Sequence, residues 1–334
     1  MTPPILCFGE MLLRLAAPDR GHLLQESRLD AHFGGAEANV AVALARIGVP
    51  AALVTTLPHG PLGDAALESV RSAGVNVSRV GRTDGRIGLY FLTPPSGLRG
   101  AQIVYDRLGS TFAVAPSGTY DWDRLLDGVG WLHLSGIIPA IGPGADTLSR
   151  DAIAAARRAG VRVSFDGNYR ASMWARWCAD PRPILEPQVA GADLLFGNHR
   201  DIGLLLGKPF SGDTPAGRRD AAEAAFARFP NLRVIASTGR RVADTSQHDL
   251  LARVDMRDAW HETDAIRIGD IVDRIGTGDA FAAGVLSAID DGCEAAAMRG
   301  LAMAALKHAT RGDHSRATNT DLAAFAVIPG DVRR

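Results

Sequence analysis

The sequence predicts an α/β fold, a mostly parallel central sheet covered by helices on both faces, with a small β insertion. Three observations predict it. Short apolar runs alternate with longer amphipathic segments along most of the chain, the pattern of strands buried on both faces between helices. Glycines close many of the helical segments, as at Gly48, Gly74, Gly160 and Gly207. Residues 11–33 and 87–107 break the alternation with strand-like runs and no helix between them.

In chain order, Ile5–Phe8 reads as a short buried strand, followed by a helix over 38–47. A strand at 51–56 and a helix through 62–73 come next. Strand 131–134, helix 145–159 and strand 161–165 repeat the unit, the last running into Asp166. Strand 194–196, helix 199–206, helix 216–228 and strand 232–236 continue it, and helices from Thr277 and over 294–309 complete it. The interrupting runs, Leu12–Leu15, Ile87–Leu92 and Ile103–Tyr105, are punctuated by turns such as Pro94-Pro95-Ser96-Gly97 and read as antiparallel β insertions. The expected division is a main α/β domain of 1–10, 34–86 and 108–334, with a β subdomain of 11–33 and 87–107.

Composition narrows the function classes. With 36 basic and 37 acidic side chains the formal charge is −1, so neither nucleic acid nor an anionic membrane is an expected partner. The only two lysines, Lys208 and Lys307, lie outside any Walker-type phosphate loop, and no early G-x-G-x-x-G marks a dinucleotide site. Three scattered cysteines and the absence of a long apolar stretch fit a cytoplasmic enzyme. The nine histidines show no metal-binding spacing.

Residues 273–284, Asp-Arg-Ile-Gly-Thr-Gly-Asp-Ala-Phe-Ala-Ala-Gly, carry the strongest chemical signal. A turn at Gly276, Thr277 and Gly278 points backbone N–H groups out of a helix N-terminus, where the helix dipole also favours an anion. Asp279 follows at once. A carboxylate beside an anion cradle makes sense as a base that takes the proton of a hydroxyl attacking that anion, the layout of phosphoryl transfer to an alcohol. A second motif, Phe33-Gly34-Gly35-Ala36-Glu37-Ala38-Asn39, opens an Ala-rich helix, and Asn39 on its first turns can hydrogen-bond a polar ligand over the glycine pair.

Together these motifs resemble the two signatures of the ribokinase-like (PfkB) carbohydrate kinase family, over residues 5 to about 325. The resemblance implies a ribokinase-like three-layer fold whose β insertions form a lid over the sugar and pair between subunits, giving a homo-oligomer. It implies ATP and Mg2+ as cofactors, with Asp279 as base and the 276–279 amides as the anion hole. It also implies a monovalent-cation site to which Asp273 contributes.

Neutral-sugar members of the family carry an Asp five residues after the first-strand Gly. Counted from Gly9, that position is Arg14. The segments Gly88-Leu89-Tyr90, Tyr105-Asp106-Arg107, Leu134-Ser135-Gly136-Ile137, Asp166-Gly167-Asn168-Tyr169-Arg170 and Arg311-Gly312-Asp313-His314 resemble the 2-keto-3-deoxygluconate kinases of this family. That likeness implies contacts to a sugar acid from Gly34, Tyr90, Tyr105, Arg107, Ile137 and Arg170, and phosphorylation at its C6 hydroxyl. Two arginines suit a carboxylate, which takes paired guanidinium hydrogen bonds. A neutral-sugar kinase, or an inactive sugar-acid sensor on the same fold, is the rival reading.

The nucleotide side departs from the family pattern. Its Asn-x-x-Glu is here Asn198-His199-Arg200-Asp201, and its glycine-rich phosphate loop is Ser237-Thr238-Gly239-Arg240-Arg241. Asn198, Ser237, Thr238 and Gly239 are the expected phosphate contacts. Lys307 and His308, on the last long helix, lie where the resemblance places the adenine.

Overall fold

The computed structural model describes residues 2–242 and 244–325. Among these, nine strands make the main sheet, in the order Trp260–Glu262, His248–Met256, Val234–Val242, Leu194–Phe196, Arg162–Asp166, Trp131–Ser135, Ile5–Phe8 and Ala51–Val54, with Ile266–Ile268 also paired to His248–Met256. The six strands from Val234–Val242 to Ala51–Val54 run parallel; the remaining pairings are antiparallel. Side chains alternate between two cores, as the period of a doubly buried strand requires. Leu6 and Phe8 join Leu132, Leu134, Val163 and Phe165 on one face, under helices Pro143–Ala159, Arg182–Ala190, His199–Leu206 and Pro215–Arg228. Ile5 and Cys7 join Leu194 and Phe196 on the other, under Ala36–Arg46, Thr277–Ala288 and Cys293–Lys307. The result is the three-layer ribokinase-like architecture.

The β insertions and strand Asp30–Gly34 form a second sheet of four strands among the described residues, ordered Asp30–Gly34, Leu12–Ala16, Gly88–Thr93, Gln102–Asp106. The expectation of a purely antiparallel insertion is corrected here. Leu12–Ala16 and Gly88–Thr93 pair in parallel, with Arg14 opposite Tyr90. These two strands are separated by some seventy residues that pass through the main domain, so no tight hairpin dictates their direction.

A second difference lies at the other edge. The sequence reading ends a strand at Ala236, but the strand runs on to Val242, with Ser237 opposite Arg253, Thr238 opposite Ala252 and Gly239 opposite Leu251. Past Ala236 it pairs on one side only, because Leu194–Phe196 stops there. The partner strand also hides its burial behind charge. Arg253 is buried because Asp255 and Glu262 hold its guanidinium at 2.7–3.0 Å, so an apolar pattern is absent where a strand exists.

Helices Thr277–Ala288 and Cys293–Lys307 pack at backbone distance. A Cβ on Gly284 would lie 2.6 Å from the Arg299 carbonyl and 2.8 Å from the Gly300 Cα. Alanine in place of a helical glycine normally stabilises by about 1 kcal/mol. Overpacking of roughly 1–3 kcal/mol should outweigh that gain here. Gly284→Ala is therefore expected to lower the urea midpoint; a raised midpoint would show that the helices are not held this close.

Candidate active site

A cleft of about 1090 Å³ opens where the parallel strands end at their C-terminal edge, with the lid sheet as its other wall. Ligands of open α/β sheets bind at this edge, and the volume is large enough for two small molecules side by side. Strand ends contribute Glu10, Asp166 and Asn198; the lid contributes Leu12, Tyr90, Tyr105 and Arg107; residues 274–279 close one end.

Gly276 caps helix Thr277–Ala288 with φ of 82°, and a Cβ there would come within 2.0 Å of the Asp313 carbonyl, so this turn admits only glycine. The Thr277 hydroxyl ties the turn by donating to Arg274 O at 2.9 Å. Thr277 N reaches the same carbonyl only at 3.4 Å, and the first helical amides have no partner one turn back. Asp279 stands in this first turn. Its Oδ2 accepts from Asn39 Nδ2 at 2.6 Å, a bond spanning 240 residues that joins the two glycine motifs. Burial pushes the Asp279 carboxyl up to about 6; the Asn39 hydrogen bond opposes the shift, Asp313 adds to it, and Arg170 and Lys307 oppose it. The carboxylate can therefore accept a proton at neutral pH without being a trivially weak base. Among the described residues Asn39 Oδ1 is buried without a hydrogen-bond partner, an acceptor left over for a ligand hydroxyl.

On the sugar side, Gly35, Tyr90, Tyr105, Arg107, Ile137 and Arg170 all border the cleft. Gly34 does not; it lies beneath Asp313, whose carboxylate would be 2.2 Å from any Cβ at that position. Tyr90 and Tyr105 are cross-strand partners with ring centroids 6.1 Å apart. The two arginines differ sharply. Arg107 is only 2% exposed; its Nε donates to Glu10 Oε2 at 2.7 Å and its Nη2 pairs with the same carboxylate, which Ser110 also holds. Its charge is thus already balanced by Glu10, so the two arginines expected at the sugar stand in different electrostatic settings. Arg170 is exposed in the cleft, bonded only to the Tyr169 carbonyl at 3.1 Å, and forms no salt bridge among the described residues.

On the nucleotide side, Asn198, Ser237, Thr238 and Gly239 border the cleft. The last three belong to a strand rather than a phosphate loop, so their amides are not fanned around one point. Asn198 caps helix His199–Leu206: its side chain accepts from Arg200 N at 2.8 Å, while Asp201 accepts from Asn198 N at 2.8 Å. The Asn-x-x-Asp motif is therefore a capping box. Lys307 and His308 do not reach the cleft wall. Lys307 is fully buried behind the Gly276 turn and donates to Thr310 O at 3.1 Å; burial lowers its pKa. His308 bonds Ala304 O at 2.7 Å and packs edge-on against His248.

Several participants escaped the sequence reading. Glu10 neutralises Arg107. Asp166, pushed up to about 8 by burial and by Asp279, and Glu37, pushed up to about 7 by burial, add buried carboxyls around the base. Arg240 and Arg274 border the cleft beside the turn, and neither forms a salt bridge among the described residues. Arg274 donates to Asp244 O at 2.9 Å, and its pKa is lowered by burial and by Arg240. The charge of Asp244 offsets part of this repulsion, and two like charges held together suit a polyanion. The signal available in the sequence was the place of Arg240 within the segment that replaces the glycine loop and of Arg274 two residues before Gly276. Asp273, expected at a cation site, has both oxygens engaged, by Ile275 N at 3.0 Å, Gly312 N at 3.1 Å and Arg14 Nη2 at 2.8 Å.

The signature of the pfkB family carbohydrate kinases matches residues 3–319. The chain is 31% identical to a 2-dehydro-3-deoxygalactonokinase of Haloferax volcanii, over 94% of this chain and 93% of that one. It is 30% identical to a 2-dehydro-3-deoxygluconokinase of Bacillus subtilis, over 92% and 90% respectively. Among solved structures, a 2-dehydro-3-deoxygluconokinase of Thermotoga maritima superposes with a TM-score of 0.92 at 33% identity, covering 98% of both chains. No helix among the described residues is long and apolar enough to cross a membrane. Agreement this broad, in sequence and in fold over nearly the full length, makes the chain a member of the pfkB family of carbohydrate kinases.

Proposed function

We propose that the protein transfers the γ-phosphoryl group of ATP to the C6 hydroxyl of 2-keto-3-deoxygluconate, giving the 6-phosphate. The observation that carries this reading is the 2.6 Å bond from Asn39 to Asp279, which sets a sugar-side donor and a base at one point beside the anion turn. The names of the relatives support a six-carbon keto-deoxy sugar acid; the galacto epimer is the competing substrate.

The sugar acid lies between the Gly34-Gly35 turn and the lid, under Tyr90 and Tyr105. Arg170, which lies on the sugar side and forms no salt bridge among the described residues, takes its carboxylate. Arg107, held by Glu10, offers one remaining edge and mainly shapes the wall. Asp279 accepts the C6 hydroxyl proton as that oxygen attacks phosphorus, and the 276–279 amides stabilise the charge on the transferred group. Arg240 and Arg274 hold the phosphate chain in place of a glycine loop. Magnesium keeps much of its water and is held largely by phosphate oxygens. This fits the finding that no group of three or more His, Cys, Asp or Glu among the described residues forms a metal cage. Asp166 and Asp201, both on the cleft wall, are the carboxylates that would hold the phosphate-bound ion, which neutralises phosphate charge when present.

The lid's outer strand, Gln102–Asp106, is a sheet edge with Val104 exposed. An uncovered edge of this kind supports pairing with a second copy of the chain. Val104→Lys is expected to shift the protein towards monomer in sedimentation; an unchanged oligomer would place the contact elsewhere.

Asp279→Asn should lower kcat by roughly 10²–10⁴ while sugar binding persists. The base acts only when ionised, so kcat/KM for the unmodified protein should fall as pH drops through about 6. Asn39→Ala removes a bond that stabilises the carboxylate, so it should move that acid limb to higher pH; a limb that stays fixed would detach Asn39 from the base.

Arg170→Ala should raise KM for the sugar acid by about 1.5–3 kcal/mol, roughly 10–150-fold, and leave KM for fructose nearly unchanged. Coupled ADP-release assays with both epimers and fructose test this. Equal losses on acidic and neutral sugars would remove Arg170 from carboxylate recognition.

A further inference from the structure

Arg14 stands where the sequence pattern calls for a sugar-binding acid, and the structure gives it a different task. It lies within strand Leu12–Ala16 of the lid, almost fully buried. Its Nη2 is 2.8 Å from Asp273 Oδ2, and its Nη1 is 3.2 Å from Asp313 Oδ1. These two carboxylates bracket the anion turn. Asp273 accepts from Ile275 N and Gly312 N, while the backbone carbonyl of Asp313 packs directly on Gly276. The second oxygen of Asp313 accepts from the Tyr90 hydroxyl at 2.5 Å. Tyr90 borders the cleft on the neighbouring lid strand, in register with Arg14.

A continuous run of polar contacts therefore leads from the lid wall through Tyr90, Asp313, Arg14 and Asp273 to the turn that precedes Asp279. A planar guanidinium can bridge two carboxylates in fixed directions, which an ammonium cannot do equally well. Lys307, the nearby buried cation, donates its hydrogen bond to Thr310 O instead.

We propose that Arg14 is a positioning residue that couples sugar binding under the lid to the geometry of the phosphate-binding turn. The proposal rests on the reading that Tyr90 borders the sugar and the 276–279 turn the transferred phosphoryl group. With sugar packed on Tyr90, the Asp313–Arg14–Asp273 bridge has one preferred arrangement, and the turn is set to receive phosphate. Without sugar, the bridge and the turn relax together. By linkage the effect is reciprocal, so nucleotide must tighten sugar binding by the same factor.

Calorimetry on the full-length protein tests this. The probes are 2-keto-3-deoxygluconate and a non-hydrolysable ATP analogue with magnesium, each titrated alone and with the other at saturation. In the unmodified protein each ligand is expected to tighten the other about tenfold, a coupling near 1.4 kcal/mol. Arg14→Met should bind each ligand alone within about threefold of the unmodified protein, yet show less than about twofold coupling; its kcat should fall, and each KM taken with the other substrate saturating should rise roughly fivefold or more. Arg14→Lys keeps the charge without the bridge and should lose coupling too; it decides the matter if Arg14→Met unfolds. A merely structural arginine would lower the melting temperature and leave the coupling intact. Coupling that survives in a folded variant, or that is missing from an unmodified protein that binds both ligands, overturns the role of Arg14 alone. Failure of the sugar acid to bind the unmodified protein overturns the substrate reading, and the coupling falls with it.

Discussion

Asp279 and the glycine turn beside it share one corner of the molecule, and that proximity sets the electrostatics around them. Asp279 must be ionised to accept a proton, yet it stands beside a turn built to receive phosphate, with Asp166, Glu37 and Asp313 close enough to disfavour its charge or be disfavoured by it. Left alone, such a cluster would protonate. Three devices hold it in a workable range. The Asn39 amide donates to Asp279, Arg170 adds positive charge from the cleft side, and Lys307 adds it from behind the Gly276 turn. The buried lysine, unable to touch a nucleotide in this arrangement, thus still acts on the site through space.

The same chain that uses two lysines uses arginine nearly everywhere else, and the structure shows a division of labour among those arginines. Some are tethered. Arg107 is locked by Glu10, Arg14 by two aspartates, and Arg253 by Asp255 and Glu262. Breaking such a buried pair leaves an uncompensated charge, so these residues order the wall rather than bind from it. Others, Arg170, Arg240 and Arg274, face the cleft without a salt bridge among the described residues. Arg170 on the sugar side and Arg240 and Arg274 beside the turn suit two anionic reactants.

What could be read from the sequence follows this distinction. The glycine turns were legible because backbone geometry restricts which residues can stand at 34–35 and at 276, and Asn39 and Asp279 follow in the next turn of each helix. The parallel sheet was readable because burial on both faces leaves an uninterrupted apolar run. The partners of Arg107, Arg14 and Asp273 were not, because Glu10 and Asp313 are brought in by strand order and by a segment near the end of the chain. The strand through Ser237–Val242 was hidden because its neighbour is buried with charges paired instead of apolar groups. Lys307 and His308 were placed in the right helix, but helix rotation decides which side meets the cleft, and nothing in their local sequence reports that.

Exchanging an acid for Arg14 changes more than one contact. An acid in the lid at that position would add negative charge to a corner that already holds Asp273, Asp279 and Asp313. A sugar carboxylate arriving beside it would meet a fourth. With arginine there, the two flanking aspartates are bridged and part of their charge is balanced inside the protein. The substitution thus removes a group suited to neutral hydroxyls and lowers the electrostatic barrier to an acidic sugar, although Arg14 itself is buried away from it. In this corner, substrate charge and turn geometry depend on the same two carboxylates, and a change at either Asp273 or Asp313 would be felt by both.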